Sequence, residues 1–264
     1  MSEQIDPKIE KEQIEKDKIY NCDCLEGMKH IPNASIDAII CDLPYGYLES
    51  KWDIQIPLDK LWAEYKRLLK PEGIVALFGN EPFSSLLRSS NLEWYRYDWY
   101  WHKSTFANFP QAPYMPLKNI ETISVFSKGN IAPNSKIKMT YFPQGIKDCF
   151  KQFVDKPSEN AFRPGRRPQT FAQTHTGYPK QLIKFDTDPN GFHPTQKPVD
   201  LLRYLIRTYS NEGDTILDNC MGSGTTAVAC IKEKRHFIGF ELNKDYYDKA
   251  CRRIDAERRQ LSLF

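Results

Sequence analysis

The stretch from Asp214 to Glu241 constrains the fold more than any other part of the chain. Thr215-Ile-Leu-Asp218 is a short apolar run, suited to a buried strand. It leads into Asn219-Cys-Met-Gly222-Ser-Gly224, whose glycines allow backbone to approach a ligand closely. The small residues Thr225-Thr-Ala-Val-Ala229 then begin a helix with unpaired N–H groups at its start. A second apolar strand, His236-Phe-Ile-Gly-Phe240, ends at Glu241, an acid suited to a ribose diol. Two strands joined through one helix lie parallel in a sheet, and such sheets bind ligands at the C-terminal ends of their strands. The turn fits G-x-G-x-x-A, so a nicotinamide dinucleotide is one candidate ligand. Asp218 argues against it, because its charge would repel a diphosphate. A cationic ligand lacking phosphate would be tolerated. S-adenosyl-L-methionine, with an ammonium, a sulfonium, a ribose and an adenine, has that chemistry.

The rest of the chain repeats the alternation. Ile19–Asp23, Asp37–Cys41, Ile74–Phe78, Tyr97–His102 and Ile120–Ser127 read as strands. Leu58–Leu69 has apolar residues at helical spacing (58, 61, 62, 65, 68, 69), and Pro82–Ser89, Lys197–Tyr209 and Asn243–Arg259 also read as helices. Strands alternating with helices predict an α/β domain, a sheet of parallel strands with helices on both faces. Met1–Asp17 is charged, lacks an apolar stripe and reads as a frayed tail or a solvated helix. From Ser127 to Phe192 the pattern breaks down, with prolines at 133, 143, 157, 164, 168, 179 and 189. That region reads as a loop-rich inserted lobe. At 264 residues the chain suits one large domain carrying such an insertion.

The net charge is only +3, but it is unevenly placed. Ser127–Asn190 holds eleven Lys or Arg against five Asp or Glu, so this quarter is basic and the remainder acidic. Local basic excess is what contacts with nucleic-acid phosphates require, and Arg163, Arg166 and Arg167 are its densest cluster. A solvated charged face is the plainer reading of the same cluster. The seven cysteines show no C-x-x-C spacing and read as reduced, packed thiols rather than a metal site. No apolar run approaches the length of a membrane span, and the polar, acidic start has no secretory character.

A second chemical cluster follows the apolar strand Asp37–Cys41: Asp42-Leu43-Pro44-Tyr45. The Asp42 carboxylate and the Leu43 carbonyl can both accept from an amino group on a flat ring, Pro44 fixes the turn and Tyr45 offers a stacking face. Alone, this block is as well explained as an ordinary strand-end turn. The absence of a Pro-Cys dipeptide disfavours methylation at cytosine carbon-5, which needs a cysteine nucleophile.

Together the two clusters resemble the beta-group DNA amino-methyltransferases, in which a D-P-P-Y-type motif precedes an F-x-G-x-G-type motif. Tyr20–Met28, Tyr65–Ile74, Trp99–Lys103, Asn119–Lys128 and His193-Pro-Thr-Gln-Lys-Pro198 resemble further family segments, so the likeness spans most of residues 18–255. Two positions depart from the pattern: Leu43 stands where the first Pro is usual, and Cys220-Met221 replaces the usual pair before the first Gly. The resemblance implies a Rossmann-like, class I S-adenosylmethionine-dependent methyltransferase sheet, circularly permuted. The catalytic domain would comprise 18–126 and 191–264, and the target-recognition lobe 127–190. It implies catalysis by Asp42, Leu43, Pro44 and Tyr45, with the target base flipped out of double-stranded DNA. It also implies a cofactor pocket formed by Asp23 (at the adenine amine), Thr195 and Lys197 (at the methionine carboxylate), Asp218, Gly222, Gly224, Thr225, Glu241 and Asn243. Adenine-N6 is the expected target, because relatives acting on cytosine-N4 more often carry Ser at position 42; cytosine-N4 is the alternative. A non-catalytic DNA-binding relative is opposed by the complete motifs. A bacterial or phage-encoded enzyme of the cytoplasm and nucleoid is expected, with no metal and no membrane. A homodimer and a companion restriction nuclease are compatible with it.

Overall fold

The computed structural model describes residues 14–46, 55–154, 170–188 and 196–261. His193, Thr195, Arg163, Arg166 and Arg167 lie outside the described residues. In chain order the strands are β1 (Lys18–Tyr20), β2 (Ile36–Cys41), β3 (Leu69–Gly79), β4 (Tyr95–Ala107), β5 (Lys118–Ser127), β6 (Lys147–Val154), β7 (Thr170–Thr176), β8 (Leu182–Lys184), β9 (Thr215–Asp218) and β10 (His236–Phe240). The helices are α1 (Cys24–Met28), α2 (Leu58–Leu68), α3 (Phe83–Ser90), α4 (Val199–Tyr209), α5 (Thr225–Lys232) and α6 (Lys244–Leu261).

Among the described residues the main sheet has eight strands in the order β1-β10-β9-β2-β3-β5-β4-β8. Seven strands run one way, and β5 alone runs against them, antiparallel to both β3 and β4. The sheet is therefore mixed rather than wholly parallel. No helix separates β4 from β5, and a connection of that kind returns the chain antiparallel. Both faces of the sheet are buried, which its residues show by strict alternation. Ala38, Ile40, Ile74, Ala76 and Ile216 pack on one side, under α4, α5 and α6. Ile39, Cys41, Val75, Leu77 and Leu217 pack on the other, with α1, α2 and α3. Helix α2 buries Leu61, Trp62, Tyr65 and Leu68, and α4 buries Leu201, Leu202, Leu205, Ile206 and Tyr209. These are the apolar stripes expected of helices laid on a sheet.

Chain order and sheet order disagree at the point that matters. From β9 the chain passes through α5 to β10 on one side, and from β2 it passes through α2 to β3 on the other. The direction of winding reverses between β9 and β2, and in open α/β sheets a crevice forms at the C-terminal side of such a reversal. The cofactor-type strand sits beside the catalytic-type strand although 173 residues lie between Cys41 and Thr215.

A second compact unit spans residues 143–180, narrower than the 127–190 stretch singled out by composition. It contains the antiparallel hairpin β6–β7, in which Phe153 stacks on Phe171 at 5.4 Å. The strands β6, β7 and β8 were hidden by the surrounding prolines. The end of the N-terminal tail is packed rather than frayed: Ile14 is buried and the Asp17 N–H donates to the Phe237 carbonyl. All seven cysteines are free thiols, and no helix among the described residues is long and apolar enough to cross a membrane.

Candidate active site

Residues 42–45 follow β2 and residues 219–224 follow β9, so both leave the sheet at its C-terminal edge on either side of the winding reversal. Between them lies a cavity of about 940 Å³. Of the residues named from the sequence, Asp23, Asp42, Leu43, Pro44, Tyr45, Lys197, Asp218, Gly222, Thr225 and Glu241 line it, and Gly224 and Asn243 do not.

At one end, Asp42 is held from two directions. The Tyr45 hydroxyl donates to its Oδ1 at 3.0 Å, and the Lys197 ammonium is ion-paired with its Oδ2. The Tyr45 ring stacks on Phe83 at 4.8 Å, so one of its faces is already covered. Lys197 also meets the buried Glu121 Oε1 at 3.1 Å, and Lys103 meets Glu121 Oε2 at 2.5 Å. The charges thus alternate along a chain: Asp42, Lys197, Glu121, Lys103. Burial raises the Asp42 pKa, and Lys197 opposes it. Burial alone would lower Lys197, but the two carboxylates reverse this and hold its ammonium above the usual range. Glu121 falls below the usual carboxylate value despite its burial, because Lys197 and Lys103 face it. The resemblance implied Lys197 at a methionine carboxylate. In the structure Lys197 lines the cavity, and its nitrogen is ion-paired with Asp42.

At the other end, Glu241 splints the glycine turn. Its Oε2 accepts from the Gly222 N–H at 2.8 Å and its Oε1 from the Asn243 N–H at 2.8 Å. A carboxylate has about four acceptor positions, so this geometry leaves capacity for a ligand hydroxyl. Asp218 is buried, accepting from the Thr226 hydroxyl at 2.5 Å and the Cys220 N–H at 3.1 Å. Burial pushes its pKa up to about 6, and burial also raises Glu241. Gly224 sits at φ 75°, and a Cβ there would come 3.2 Å from the Ala250 Cβ, so the helix start requires glycine on two counts. The Thr225 hydroxyl accepts from Arg253 at 2.9 Å. Asp23 caps α1, its Oδ1 accepting from the Leu25 and Glu26 N–H groups, and Asn243 caps α6 through the Asp245 and Tyr246 N–H groups. Tyr65 on α2 donates to Asn219 at 2.5 Å, tying the residue after Asp218 to the opposite helix layer.

Sequence reasoning did not pick out Glu121 and Lys103. A signal was present. Glu121 is in phase with Ile123 and Val125 on β5, and both of those are fully buried. An acid on the apolar face of a strand needs a partner or a function.

The chain is similar to known proteins. A family model described as DNA methylase, of the N6/N4 methyltransferase kind, matches residues 36–252. The DNA adenine methyltransferase YhdJ of Escherichia coli K12 is 29% identical over 258 residues, covering 90% of this chain and 82% of the relative. The type II methyltransferase M.HpaI of Haemophilus parainfluenzae is also 29% identical, over 88% of this chain and 72% of the relative. Among solved structures, a complex of M1.HpyAVI with S-adenosylmethionine superposes with a TM-score of 0.60 at 24% identity, covering 89% of this chain and 98% of that one. The cytosine-N4-specific PvuII DNA methyltransferase superposes at 0.65 with 16% identity, over 90% and 86%. These structural likenesses show a shared fold. Because the family model takes in both the Asp42 block and the glycine turn, the chain belongs to the DNA methylase family.

Proposed function

We propose that this DNA methylase is a site-specific adenine-N6 methyltransferase, taking its methyl group from S-adenosyl-L-methionine and acting on a nucleotide turned out of duplex DNA. One observation carries the reading: Asp42 and the acids Asp218 and Glu241 face a single cavity at the winding reversal of the sheet. Asp at 42 and the kinship with an adenine methyltransferase support adenine over cytosine. Buried Asp218 would oppose a diphosphate, which disfavours a nicotinamide dinucleotide.

The cofactor supplies an electrophilic methyl on a sulfonium. Glu241 and Asp218 would hold its hydroxyls and cationic groups, with Gly222 giving close backbone approach. The protein's task at the other end is to prepare a poor nucleophile. The lone pair of an exocyclic amine is delocalised into the ring. Asp42 and the Leu43 carbonyl, accepting from the amine, localise that lone pair and stabilise the positive charge that grows on nitrogen. Lys197 favours the ionised form of Asp42 against the burial that raises its pKa. The proton leaves after transfer, so no strong base is needed. Liquid-chromatographic nucleoside analysis of DNA treated with the enzyme tests the proposal: N6-methyladenine is expected, and N4-methylcytosine would replace the adenine reading with its cytosine counterpart. The same reading places the enzyme in the cytoplasm, at bacterial or phage DNA. It also includes a homodimer, checked by mass in solution, and a companion restriction nuclease.

Cofactor affinity is expected to depend on pH. A cationic ligand favours ionised Asp218, whose pKa is raised to about 6. Affinity should therefore be full well above that value and fall as pH drops through it, by about ten-fold per pH unit for each proton taken up. Calorimetry between pH 8 and pH 5 measures this, and Asp218→Asn should flatten the profile. A profile that is flat in the wild-type protein would remove Asp218 from the pocket.

The basic cluster Arg163, Arg166 and Arg167 is proposed to contact DNA phosphates. Replacing all three by Gln should weaken DNA binding and reduce its log–log salt slope by about 0.9 for each phosphate no longer neutralised. An unchanged slope would make the cluster a solvated face.

A further inference from the structure

The connection between β4 and β5 combines three properties that rarely coincide in a surface loop. It is apolar and exposed: Phe106 is 57% exposed, Phe109 70% and Tyr114 89%. It is ordered by its own backbone. Asn108 at φ 68° turns the chain into a short 3-10 turn over Phe109–Gln111, after which the Tyr114 and Met115 N–H groups both donate to the Gln111 carbonyl. Prolines at 110, 113 and 116 limit it further. It is also free of acids: Thr105–Ile120 carries the exposed Lys118 and no Asp or Glu.

Its position gives these properties a use. Phe106, Asn108 and Lys118 stand on the wall of the cavity that contains Asp42. The root of the connection is fixed, with Ala107 paired to Lys118 across the strands and the Thr187 N–H donating to the Ser104 hydroxyl at 3.2 Å. The Phe106 and Phe109 rings lie 6.3 Å apart, so one supports the other. The rim of the catalytic cavity therefore presents aromatic rings on a stiff, acid-free base. Exposed rings with a cationic root suit a polyanion with stacked aromatic faces better than they suit a protein surface.

We propose that this β4–β5 tip is a stacking wedge for duplex DNA: Phe109 and Tyr114 enter the base stack beside the target and fill the gap that the flipped nucleotide leaves. Turning a base out of a duplex costs stacking and pairing energy, and apolar side chains inserted between base steps are a known way to offset it. Lys118, exposed at the root of the tip, meets the backbone beside the gap. The inference rests on duplex DNA being the substrate and holds for either target base.

The test is the double variant Phe109→Ala/Tyr114→Ala in the full chain, assayed for methyl transfer on two duplexes carrying a site that the enzyme methylates. In one the target base is paired; in the other an abasic position stands opposite it, so that flipping is already easy. Both rings are largely exposed, and the variant should melt with the wild-type protein and bind S-adenosylmethionine equally well. Transfer to the paired duplex should fall about ten-fold or more, from the missing stacking, and transfer to the duplex with the abasic position should recover to near the wild-type rate. Tyr114→Phe, which keeps the stacking face, should retain activity on both. An equal loss on the two duplexes would make the tip a general DNA contact and overturn the wedge, and so would no loss on either.

Discussion

Methyl transfer by Asp42→Ala is expected to fall about a hundred-fold or more, the typical cost of removing one preorganised transition-state acceptor. Cofactor affinity should be retained, because Asp218, Gly222 and Glu241 owe none of their hydrogen bonds to Asp42. The variant also releases the Tyr45 hydroxyl and leaves Lys197 facing Glu121. Asp42→Asn separates charge from shape. Its amide nitrogen would confront the base amine with a donor where an acceptor is needed, so it should be nearly as inactive as the alanine variant. Radiolabelled transfer to DNA, with cofactor binding followed by calorimetry, reads both effects. Turnover of Asp42→Ala close to that of the wild-type protein would remove Asp42 from the chemistry.

The second large effect concerns stability. Lys197→Met should destabilise the fold by about 3–5 kcal/mol near neutral pH, since it leaves buried carboxylates without the cation between them. Lys197 and Glu121 are both well buried, so solvent does little to soften the loss. The pH dependence has a definite sign. In the wild-type protein Glu121 titrates below its usual value, so its contribution is present above the unfolded pKa and is lost as pH falls. In the variant, the neighbouring Asp42 and Glu121 would titrate above their unfolded values, so the variant gains stability relative to its unfolded state as pH falls. The difference between the two proteins should be widest at pH 7 and narrow toward pH 4 in urea unfolding. A difference independent of pH would mean that the packing of the lysine stem, and not its charge, is what the site requires.

Much of this architecture could be read from local sequence. The strands β2, β9 and β10 and the Ile74–Phe78 part of β3 are short apolar runs, and α2 and α4 carry clear stripes, because burial on a sheet enforces those periods. The Asp42 block and the glycine turn were legible because each needs particular residue types beside the other. What local pattern could not supply was adjacency. The ion chain Asp42–Lys197–Glu121–Lys103 joins β2, the segment before α4, β5 and β4, and no spacing along the sequence announces it. For the same reason the pairing of Lys197 with Asp42 is not legible in the sequence. The hairpin β6–β7 was missed on different grounds. Its strands are exposed and polar, so they lack the burial that makes a strand visible, and prolines flank them.

The placement of β9 between β10 and β2 has a consequence for how the enzyme is made. Strand β2 is synthesised early and gains β3 as a neighbour within a few tens of residues, but its other edge stays open until β9 emerges. At about 5–20 residues per second, that wait lasts on the order of ten seconds or more. Until then Asp42 borders no cavity, and Asp37, which accepts from the Thr215 N–H at 2.9 Å, lacks the hydrogen bond that pins β9 to β2. A nascent chain can therefore carry the whole Asp42 block and still be chemically silent. The crevice is assembled by a strand translated long after β2, and a ribosome that stalls before β9 releases no partially competent methylase.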